Sequence, residues 1–447
     1  MIAVKNLSFD YGIADTPVLQ RVNVEINSGE VVLLCGPTGS GKSTFLKTIN
    51  GLAPTFTGGR LQGLVELEGV AITGKLPHEL SELLGYVNQQ PEGAFATDTV
   101  EEELAFGMEQ LGFTEQDMLE RIRLTSTRFN LDHLLNVPLT AISSGQQQKV
   151  SIGSVLAAGQ TVLLLDEPTS ALDEISAVQL LETLRYLATS NNVTVLIAEH
   201  RIDRVLPFVD SIFEFEIGGK VTKFAPEDFG VTPMLPQSIE KHIKLASDLV
   251  FEATALSERF ESGFILGPID IELESGRITV ITGANGSGKT SLLWRIYRES
   301  VLKGLDAVMV PQNATDLLIL KSISDELRAA DPSGPGALLS ASKVFEDLVG
   351  RIDPALHPRD LSAGQQLSLA LAIQITRDAP LLLLDEPTRG LDIQARQNLA
   401  HILAELRNNG RSILLATHDI EFAELIADKT LRLAAGQIHD EKSADEF

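Results

Sequence analysis

The sequence predicts two tandem α/β domains, each built around a mainly parallel β-sheet that is buried on both faces. Three observations support this fold class. A phosphate-binding motif occurs twice, continuous runs of Val, Ile and Leu alternate with helical patterns, and the second half repeats the motif order of the first. Unbroken apolar strands are typical of parallel sheets that are covered by helices on both sides. The repeat indicates that the two halves share one architecture.

Both copies of the phosphate-binding motif match G-x-x-x-x-G-K-[ST] in full. Each follows an apolar strand-like run, Val31 to Cys35 or Ile278 to Ile281, and opens a helical pattern. Glycines let successive backbone N–H groups point into one concavity, and the helix N-terminus adds positive potential, so the loop suits a polyphosphate. The sequence therefore predicts two P-loops that bind nucleoside triphosphates. Their binding residues are predicted to be Gly36, Pro37, Thr38, Gly39, Ser40, Gly41, Lys42, Ser43 and Thr44 in the first half, and Gly283, Ala284, Asn285, Gly286, Ser287, Gly288, Lys289, Thr290 and Ser291 in the second.

Two side chains in each P-loop have a defined chemical task. Lys42 and Lys289 are expected to reach the β- and γ-phosphates, while the hydroxyls of Ser43 and Thr290 are expected to bind Mg²⁺. The position of both copies between a strand and a helix pattern argues against a chance match without a phosphate role. The predicted cofactors are therefore ATP and Mg²⁺.

Length and composition limit the classes of protein to which the chain can belong. Its 447 residues are enough for two domains, and no segment approaches the roughly 18 uninterrupted apolar residues that span a bilayer. The N-terminus is typical of a strand rather than of a signal peptide. A single cysteine, Cys35, fits a reducing compartment, and a net charge of −25 without any basic run argues against nucleic acid or anionic lipid as the main partner. We expect a soluble, cytoplasmic protein.

The spacing of the repeated motifs shows where the halves differ. Between Lys289 and Gln312 the second half lacks about two dozen residues relative to the first, which has a strand-and-turn pattern at 63–69. The antiparallel β layer should therefore be trimmed in the second domain. Glycines and prolines between the halves interrupt any periodic pattern. The predicted organisation is a first domain over 1–225, a linker over 226–245 and a second domain over 246–447.

Further along each half, the same three features recur in the same order. A Ser/Gly/Gln-rich segment opens a helical pattern, an apolar strand ends in Asp-Glu-Pro-Thr, and a second strand ends in His. The first segment reads Ile142-Ser-Ser-Gly-Gln146 in one half and Leu361-Ser-Ala-Gly-Gln365 in the other. Ser143 or Ser144 with the Gln three residues later, like Ser362 with Gln365, is a capping-box pattern, so each segment should begin a helix.

With these residues the chain resembles, over nearly its whole length, the nucleotide-binding domains of ABC (ATP-binding cassette) proteins, whose signature is Leu-Ser-Gly-Gly-Gln. The departure is mild, since Ser or Ala replaces one glycine. The resemblance implies a parallel sheet, an antiparallel β layer and a helical subdomain in each half. It also implies head-to-tail pairing of the two domains, in which each P-loop site is completed by the signature of the other half. The signature residues assigned to ATP binding are Ser143, Ser144, Gly145, Gln146, Ser362, Ala363, Gly364 and Gln365.

The resemblance also assigns roles in hydrolysis, a reaction in which the protein mainly positions groups and neutralises charge. An Asp at a strand end and a Gln in a short polar loop join the Mg²⁺ shell, the following Glu polarises the attacking water, and the His contacts the γ-phosphate. A solvated turn is the alternative reading of the acidic pair, and a surface or core histidine that of each His. The metal ligands are then Ser43, Gln89, Asp166, Thr290, Gln312 and Asp385, and the catalytic residues are Glu167, His200, Glu386 and His418.

One position differs between the halves in a way that bears on nucleotide binding. Tyr11 occupies the place where ABC domains stack an aromatic ring on adenine, whereas the aligned residue in the second half is Ala253. A tyrosine packed on an edge strand is the alternative reading. We expect Tyr11 to bind nucleotide, and the two sites to differ in affinity.

The run Tyr86-Val-Asn-Gln-Gln-Pro, followed by Thr99-Val-Glu-Glu-Glu-Leu-Ala-Phe-Gly107, is similar to the ATPase components of energy-coupling-factor (ECF) and cobalt-type importers. A solvated helix face is the alternative reading of the Glu-rich run. The resemblance implies a fused double ATPase on the cytoplasmic face of the membrane. It would drive a transmembrane scaffold subunit and, through it, a substrate-capture protein for a vitamin or metal ion. The competing functions are a soluble tandem ATPase that acts on ribosomes or DNA, and the fused ATPase of another ABC importer.

Overall fold

The computed structural model describes residues 1–12, 17–89, 93–230, 248–260, 263–331 and 340–440. The chain divides into two compact units, Met1–Thr232 and Pro233–Phe447. Each unit contains one of the two P-loops, as the repeated motif predicts.

The strands and helices of the first unit alternate along the chain. They are β1 (Ile2–Asp10), β2 (Leu19–Ile26), β3 (Val31–Cys35), α1 (Lys42–Ile49), β4 (Arg60–Leu67), β5 (Val70–Ala71), α2 (Pro77–Leu80), β6 (Leu84–Val87), α3 (Val100–Gln110), α4 (Glu115–Phe129), α5 (Ser144–Ala158), β7 (Val162–Asp166), α6 (Glu174–Asn191), β8 (Thr194–Ala198), α7 (Ile202–Val205), β9 (Ser211–Phe215) and β10 (Val221–Phe224). Single 3-10 turns occur at Asp132–Leu134, Leu139–Ala141, Leu206–Phe208 and Pro226–Asp228.

The main sheet of the first unit has the order β10-β9-β3-β8-β7-β6 among the described residues. All neighbouring strands in it are parallel except the β9–β10 hairpin. A second, antiparallel sheet has the order β2-β1-β4-β5. Since parallel strands end at the same edge, the main sheet gathers the residues after β3, β7 and β8 at its carboxyl edge.

Alternate side chains of each central strand enter two different hydrophobic cores, because successive residues of a strand point to opposite faces. In β3, Val31, Leu33 and Cys35 pack with helices α3 to α6, whereas Val32 and Leu34 pack with α1 and the antiparallel sheet. The sheet is therefore buried on both faces, as its unbroken apolar strands predict. Burial raises the pKa of the Cys35 thiol to about 12, so this cysteine acts as a small core residue.

The second unit repeats this order with fewer strands at its front. Its elements are β11 (Leu249–Arg259), β12 (Ile265–Glu274), β13 (Ile278–Thr282), α8 (Lys289–Leu302), β14 (Ala307–Val310), α9 (Ile323–Ala330), α10 (Ala341–Val349), α11 (Ala363–Ile375), β15 (Leu381–Asp385), α12 (Ile393–Asn408), β16 (Ser412–Ala416), α13 (Ile420–Ile426), β17 (Lys429–Ala434) and β18 (Gln437–Asp440), with 3-10 turns at Thr315–Leu317 and Pro358–Asp360.

The main sheet of the second unit has the order β14-β15-β16-β13-β17-β18, the same topology as in the first. Its antiparallel layer, within the part of the chain that the structure describes, contains only β11 and β12. The predicted trimming of this layer is confirmed. Helix α8 is 14 residues long against eight in α1, and it reaches β11 through Arg298, whose guanidinium lies 3.0 Å from Glu258. Lys303, just beyond α8, donates a hydrogen bond to the Glu252 carbonyl on the same strand.

The segment after β10 packs against the hydrophobic core of the first unit. Phe229 contacts Phe224 edge to face, with ring centroids 5.5 Å apart, and both rings lie against the core under α3 to α6. The predicted linker, 226–245, begins in this segment, and its part from 231 onward lies outside the described residues.

One buried polar side chain in the first unit, Gln148, marks a position where an apolar residue should stabilise the fold. Gln148 on α5 is fully buried, and neither its amide oxygen nor its amide nitrogen has a hydrogen-bond partner among the described residues. The aligned residue on α11 is Leu367, which packs into the second unit's core. Because an unsatisfied buried polar group costs about 1–3 kcal/mol, we expect Gln148→Leu to raise the free energy of unfolding by about that amount. Urea unfolding measures it.

The exposed Gln179 on α6 supplies the control for that substitution. Gln179→Leu should change the unfolding free energy by less than about 0.5 kcal/mol, as is usual for surface positions. A loss of stability in Gln148→Leu would contradict the prediction, since it would mean that the Gln148 amide makes a stabilising contact in solution.

Candidate nucleotide-binding sites

Each P-loop is a tight turn between a central strand and a helix. In the first unit the Lys42 ammonium donates to the carbonyls of Gly36 and Pro37, at 2.7 and 3.0 Å. In the second unit Lys289 donates to the carbonyls of Gly283 and Ala284, at 2.7 and 3.2 Å. Both ammonium groups are therefore held over the loop by its own backbone, in the place where a polyphosphate would lie.

The first glycine of each loop is required by a close backbone approach. A Cβ on Gly36 would lie 2.1 Å from the carbonyl oxygen of Phe215, and a Cβ on Gly283 would lie 2.3 Å from that of Leu433. These oxygens belong to the strand beside the P-loop strand, β9 or β17. Any side chain would push the loop away from the sheet, so the motif glycines fix the loop's position.

The loops also contain one buried hydroxyl each that the protein does not satisfy. Ser40 and Ser287 occupy the same motif position, and neither hydroxyl has a hydrogen-bond partner among the described residues. An unpaired buried hydroxyl is unfavourable. A phosphate oxygen bound in the loop would satisfy it.

The aspartates predicted to bind metal lie at the ends of β7 and β15. Asp166 accepts a hydrogen bond from the Ser43 hydroxyl at 2.9 Å, which joins the two predicted metal ligands of the first unit. Burial, with the neighbouring Glu167 charge, raises the pKa of Asp166 to about 6. A buried carboxylate beside a hydroxyl and a second carboxylate is a donor set that suits Mg²⁺.

In the second unit the corresponding aspartate, Asp385, has fewer hydrogen-bond partners within the described ranges than Asp166. Burial and the charge of Glu386 raise the pKa of Asp385 to about 7. Thr290 lies near enough to lower that pKa, although neither Asp385 oxygen has a hydrogen-bond partner of ordinary geometry among the described residues. A divalent cation would compensate both the missing partners and the buried charge, so the residues present fit Mg²⁺.

The raised pKa of Asp385 leads us to expect that the thermal stability of the chain depends on pH. A carboxyl group whose folded pKa lies above its unfolded pKa stabilises the fold at low pH, and that contribution is lost as the pH rises through the folded pKa, here about 7. With Mg²⁺ chelated, Asp385→Asn should therefore unfold at a higher temperature than the parent chain at pH 8. The difference should shrink at pH 6. Thermal unfolding at both pH values measures it.

The surface residue Asp316 is the matched control, because it is exposed in the same unit. Asp316→Asn should leave the unfolding temperature unchanged at both pH values. Stabilisation by Mg²⁺ and ATP should be smaller in Asp385→Asn than in the parent chain, because a neutral amide is a weaker metal ligand. Equal stabilisation in the two chains would argue against Asp385 as a ligand.

The predicted catalytic pair of each unit is brought together across two neighbouring strands. Glu167 Oε1 lies 3.3 Å from His200 Nε2, and Glu386 Oε2 lies 2.9 Å from His418 Nδ1. Both glutamates adopt φ of 50°, a left-handed conformation that is uncommon for residues other than glycine. Each still donates its backbone N–H to the adjacent strand, to Ala198 or Ala416. A sharp bend directly after the strand thus turns each glutamate toward its histidine.

Electrostatics keep both glutamates ionised. Burial alone would raise the pKa of Glu167, but the nearby His200, Lys42 and Gln89 side chains outweigh burial and hold that pKa below its usual range. The pKa of Glu386 is likewise lowered, because His418 and Lys289 together outweigh burial. An ionised, buried carboxylate is able to accept a proton or a hydrogen bond from water.

The contacts of Gln89 place it at the first site, whereas those of Gln312 and Tyr11 say less about nucleotide binding. Gln89 follows β6 and lies against Glu167, so it reaches the first site. Gln312, at the corresponding place after β14, is half-buried. The Tyr11 hydroxyl hydrogen bonds with Thr44 at 3.1 Å, and its ring packs edge to face on Phe9. Ala253 is buried. The adenine contact of Tyr11 remains a prediction.

The signature segments begin helices as the capping-box pattern predicts. In each unit the serine hydroxyl accepts the N–H of the Gln three residues later at 3.3 Å, and that Gln accepts the serine N–H; the pairs are Ser143 with Gln146 and Ser362 with Gln365. A Cβ on Gly364 would lie 2.2 Å from the carbonyl oxygen of Gly390, so only glycine fits there. The structure thus gives these segments a fixed shape, while their contact with a γ-phosphate remains a prediction.

Motif analysis misses two residues near the predicted catalytic pairs. Glu199 precedes His200, and Thr417 precedes His418. Both are buried and hydrogen-bonded to the site: Glu199 accepts the His200 N–H at 3.1 Å, and the Thr417 hydroxyl donates to Glu386 at 3.1 Å. The only sequence signal is that the halves differ at this position.

These features define a tandem P-loop ATPase with two similar units. A family described as ABC transporter matches residues 19–170. A family described as an AAA domain with a provisional type IV toxin–antitoxin assignment matches residues 312–424. A Streptomyces coelicolor protein with the provisional name ABC transporter ATP-binding protein is 35% identical, covering 98% of this chain and 93% of its own length. The chain therefore belongs to the ABC transporter ATP-binding proteins, and it is an ATP-binding, ATP-hydrolysing enzyme.

More distant relatives extend the comparison. A Bacillus subtilis protein, provisionally named an HMP/thiamine import ATP-binding protein, is 28% identical over 97% of this chain and 90% of its own length. An archaeal ribosome recycling factor, solved in complex with a ribosomal stalk protein, gives a TM-score of 0.64 at 20% identity, covering 96% of this chain and 87% of its own. A structure named RNase-L Inhibitor gives a TM-score of 0.61 at 21% identity, covering 96% of this chain and 87% of its own. At that identity the two structures show the two-cassette fold alone.

No helix in the described part of the chain has both the length and the apolar character to cross a lipid bilayer.

Proposed function

We propose that this tandem ATPase is the energy-coupling subunit of an ECF-type importer, and that it acts at the cytoplasmic face of the membrane through a separate transmembrane scaffold subunit. The scaffold would carry a substrate-capture protein for a vitamin or a metal ion. The observation that carries the proposal is the segment Thr99–Gly107, with its resemblance to ECF and cobalt-type ATPases. The import name of the Bacillus subtilis relative supports the same direction.

The structure of that segment is compatible with docking. Thr99 caps α3 with a full capping box, and the Glu-rich first turn lies at the positive end of the helix. Phe106 on α3 is 37% exposed, whereas Val100, Leu104 and Met108 on the same helix are buried. Buried Glu103 accepts hydrogen bonds from the N–H groups of Ala96 and Thr97, at 3.1 and 3.2 Å, which ties the residues just before α3 to the helix. A partner that contacts α3 would thus also bear on the segment that Glu103 holds.

Co-expression with a candidate scaffold subunit tests this proposal. We expect a complex that survives detergent purification and that hydrolyses ATP faster than the free chain. Phe106→Asp should weaken the complex, while Ile217→Asp should not, because Ile217 lies as an exposed residue in the β9–β10 hairpin. Failure to bind any ECF scaffold, with ATP hydrolysis intact, would overturn the proposal without affecting the assignment as an ATPase.

The residue assignments belong to the same proposal. Lys42, Ser43 and Asp166 would hold Mg²⁺ and ATP in the first unit, and Lys289, Thr290 and Asp385 would do so in the second. When bound, Mg²⁺ neutralises charge on the phosphates. Glu167 and Glu386 would accept the proton of the attacking water, and each histidine would orient its glutamate and meet the γ-phosphate.

Head-to-tail pairing of the halves rests on the family resemblance and is proposed with its own test. Pro37 and Ser362 are each exposed within their own unit, and the one native cysteine, Cys35, is buried. In a chain with Pro37→Cys and Ser362→Cys, a bifunctional thiol reagent long enough to bridge a bound ATP should cross-link the two positions faster when ATP is bound and hydrolysis is blocked. An ATP-independent rate would contradict the pairing.

Action on ribosomes or DNA is the competing function. The net charge of −25 argues against it, since nucleic-acid binding depends on phosphate neutralisation by Lys and Arg. Cosedimentation with ribosomes that persists at about 150 mM salt, where weak electrostatic binding is reduced, would favour it over the importer.

A further inference from the structure

The two units differ in what surrounds the catalytic glutamate. In the second unit three groups face one oxygen, Glu386 Oε2. The Thr417 hydroxyl donates to it at 3.1 Å, the backbone N–H of His418 donates at 3.3 Å, and His418 Nδ1 lies at 2.9 Å. This oxygen is therefore crowded with partners before any water arrives.

In the first unit the corresponding backbone N–H is bound elsewhere. The N–H of His200 donates to Glu199 Oε2 at 3.1 Å, not to Glu167. Among the described contacts, Glu167 keeps the His200 ring at 3.3 Å and a hydrogen bond with the Gln89 side chain, and the Lys42 ammonium lies nearby. The Glu199 side chain also lacks a hydroxyl, so it cannot donate a hydrogen bond to Glu167 as the Thr417 hydroxyl does to Glu386.

Glu199 is held in place by a buried network. It is 2% exposed, and its Oε1 accepts both the backbone N–H of Thr169, at 3.0 Å, and the Thr169 hydroxyl. Arg204 donates to the Thr169 carbonyl and hydroxyl, each at 3.3 Å, and to Glu174 at 2.6 Å. A buried carboxylate is costly unless it is well hydrogen-bonded. These donors meet that condition and link the segment after Glu167 to the segment that contains His200.

We propose that Glu199 is a positioning residue of the first ATP site, which diverts the His200 N–H from Glu167 and leaves the Glu167 carboxylate more open to the attacking water than Glu386. A carboxylate has about four acceptor positions, and a position filled by a protein donor is closed to water. The first site therefore hydrolyses ATP faster than the second. This inference rests on the proposed role of the two glutamates as bases.

Two substitutions in the full-length chain test the idea in opposite directions. Glu199→Thr copies the second unit. The new hydroxyl and the freed His200 N–H can then both donate hydrogen bonds to the Glu167 carboxylate. We expect kcat to fall about five- to tenfold, the factor of about one hydrogen bond, with KM for ATP within about twofold. Thr417→Val removes a donor from Glu386, and we expect kcat to rise about two- to fivefold.

A conservative variant separates positioning from simple structural support. In Glu199→Gln the amide oxygen can still accept the His200 N–H, whereas the amide NH₂ replaces the oxygen that accepts from Thr169. The unfolding temperature should therefore fall, while kcat should stay within about twofold of the parent chain. A structural role alone would lower the unfolding temperature and kcat together in all three variants. It would not raise kcat in Thr417→Val.

The outcomes that overturn the proposal are distinct from failure of the base assignment. If Glu167→Gln hydrolyses ATP at the parent rate, the proposed base is wrong. If Glu167→Gln is impaired but Glu199→Thr keeps the parent kcat, or if Thr417→Val lowers kcat, only the role of Glu199 is overturned. Should Glu199→Thr fail to fold, Thr417→Val and Glu199→Gln decide the question.

Discussion

Replacing either glutamate proposed as the general base by glutamine should lower ATP turnover by about 10²–10⁴, the usual contribution of such a group, while ATP still binds. Glu167 and Glu386 are buried, ionised and within 3.3 Å of a histidine ring nitrogen. Glutamine keeps their size but cannot take a proton from water. Steady-state phosphate release gives the turnover, and binding of a fluorescent ATP analogue shows that the sites still fill.

The exposed glutamates Glu182 on α6 and Glu405 on α12 provide matched controls. Glutamine at either position should leave turnover within about twofold, as expected for surface substitutions. The double variant Glu167→Gln with Glu386→Gln is the decisive chain. If it hydrolysed ATP at the parent rate, another group would have to activate the water.

Much of the fold could be predicted because its local signals agree with its packing. Strand β3 reads as five apolar residues followed by a P-loop, and the structure divides those residues between two cores. The same agreement holds for β7 and β15, which end at the predicted metal-binding aspartates. The capping boxes at Ser143 and Ser362 were readable from spacing alone, because a cap depends on residues only three apart.

The details that distinguish the two sites depend on contacts between distant segments. Glu199 reaches Thr169 across 30 positions of sequence, and Thr417 reaches Glu386 across 31. No periodicity encodes such pairs, since they form only when β8 lies beside β7 or β16 beside β15. The sequence shows that Glu and Thr differ at this position, but only the structure shows that the difference redirects a hydrogen bond.

Loss of the P-loop lysine should weaken ATP binding, by a smaller factor than the one by which the glutamate substitutions lower turnover. Each ammonium is already positioned on loop carbonyls, so little ordering is needed when a phosphate arrives. Hydrogen bonds to charged groups contribute about 1.5–3 kcal/mol, so Lys42→Ala or Lys289→Ala should each weaken ATP binding at its own site by about 10- to 100-fold. Isothermal titration with ATP and Mg²⁺ resolves the remaining site.

Loss of Lys289 should also affect the chemistry of the second site. Lys289 lies 4.0 Å from Glu386 and helps to hold the pKa of that carboxyl group down. Burial raises the pKa of Glu386 and His418 lowers it, and both influences remain when the ammonium is removed. The loss of Lys289 should therefore raise this pKa and weaken the hold on the ionised form of Glu386. Lys220→Ala and Lys343→Ala, at exposed positions, are the controls and should bind two ATP molecules with parent affinity. Two unaltered binding events in Lys289→Ala would show that the ammonium contributes nothing to the second site.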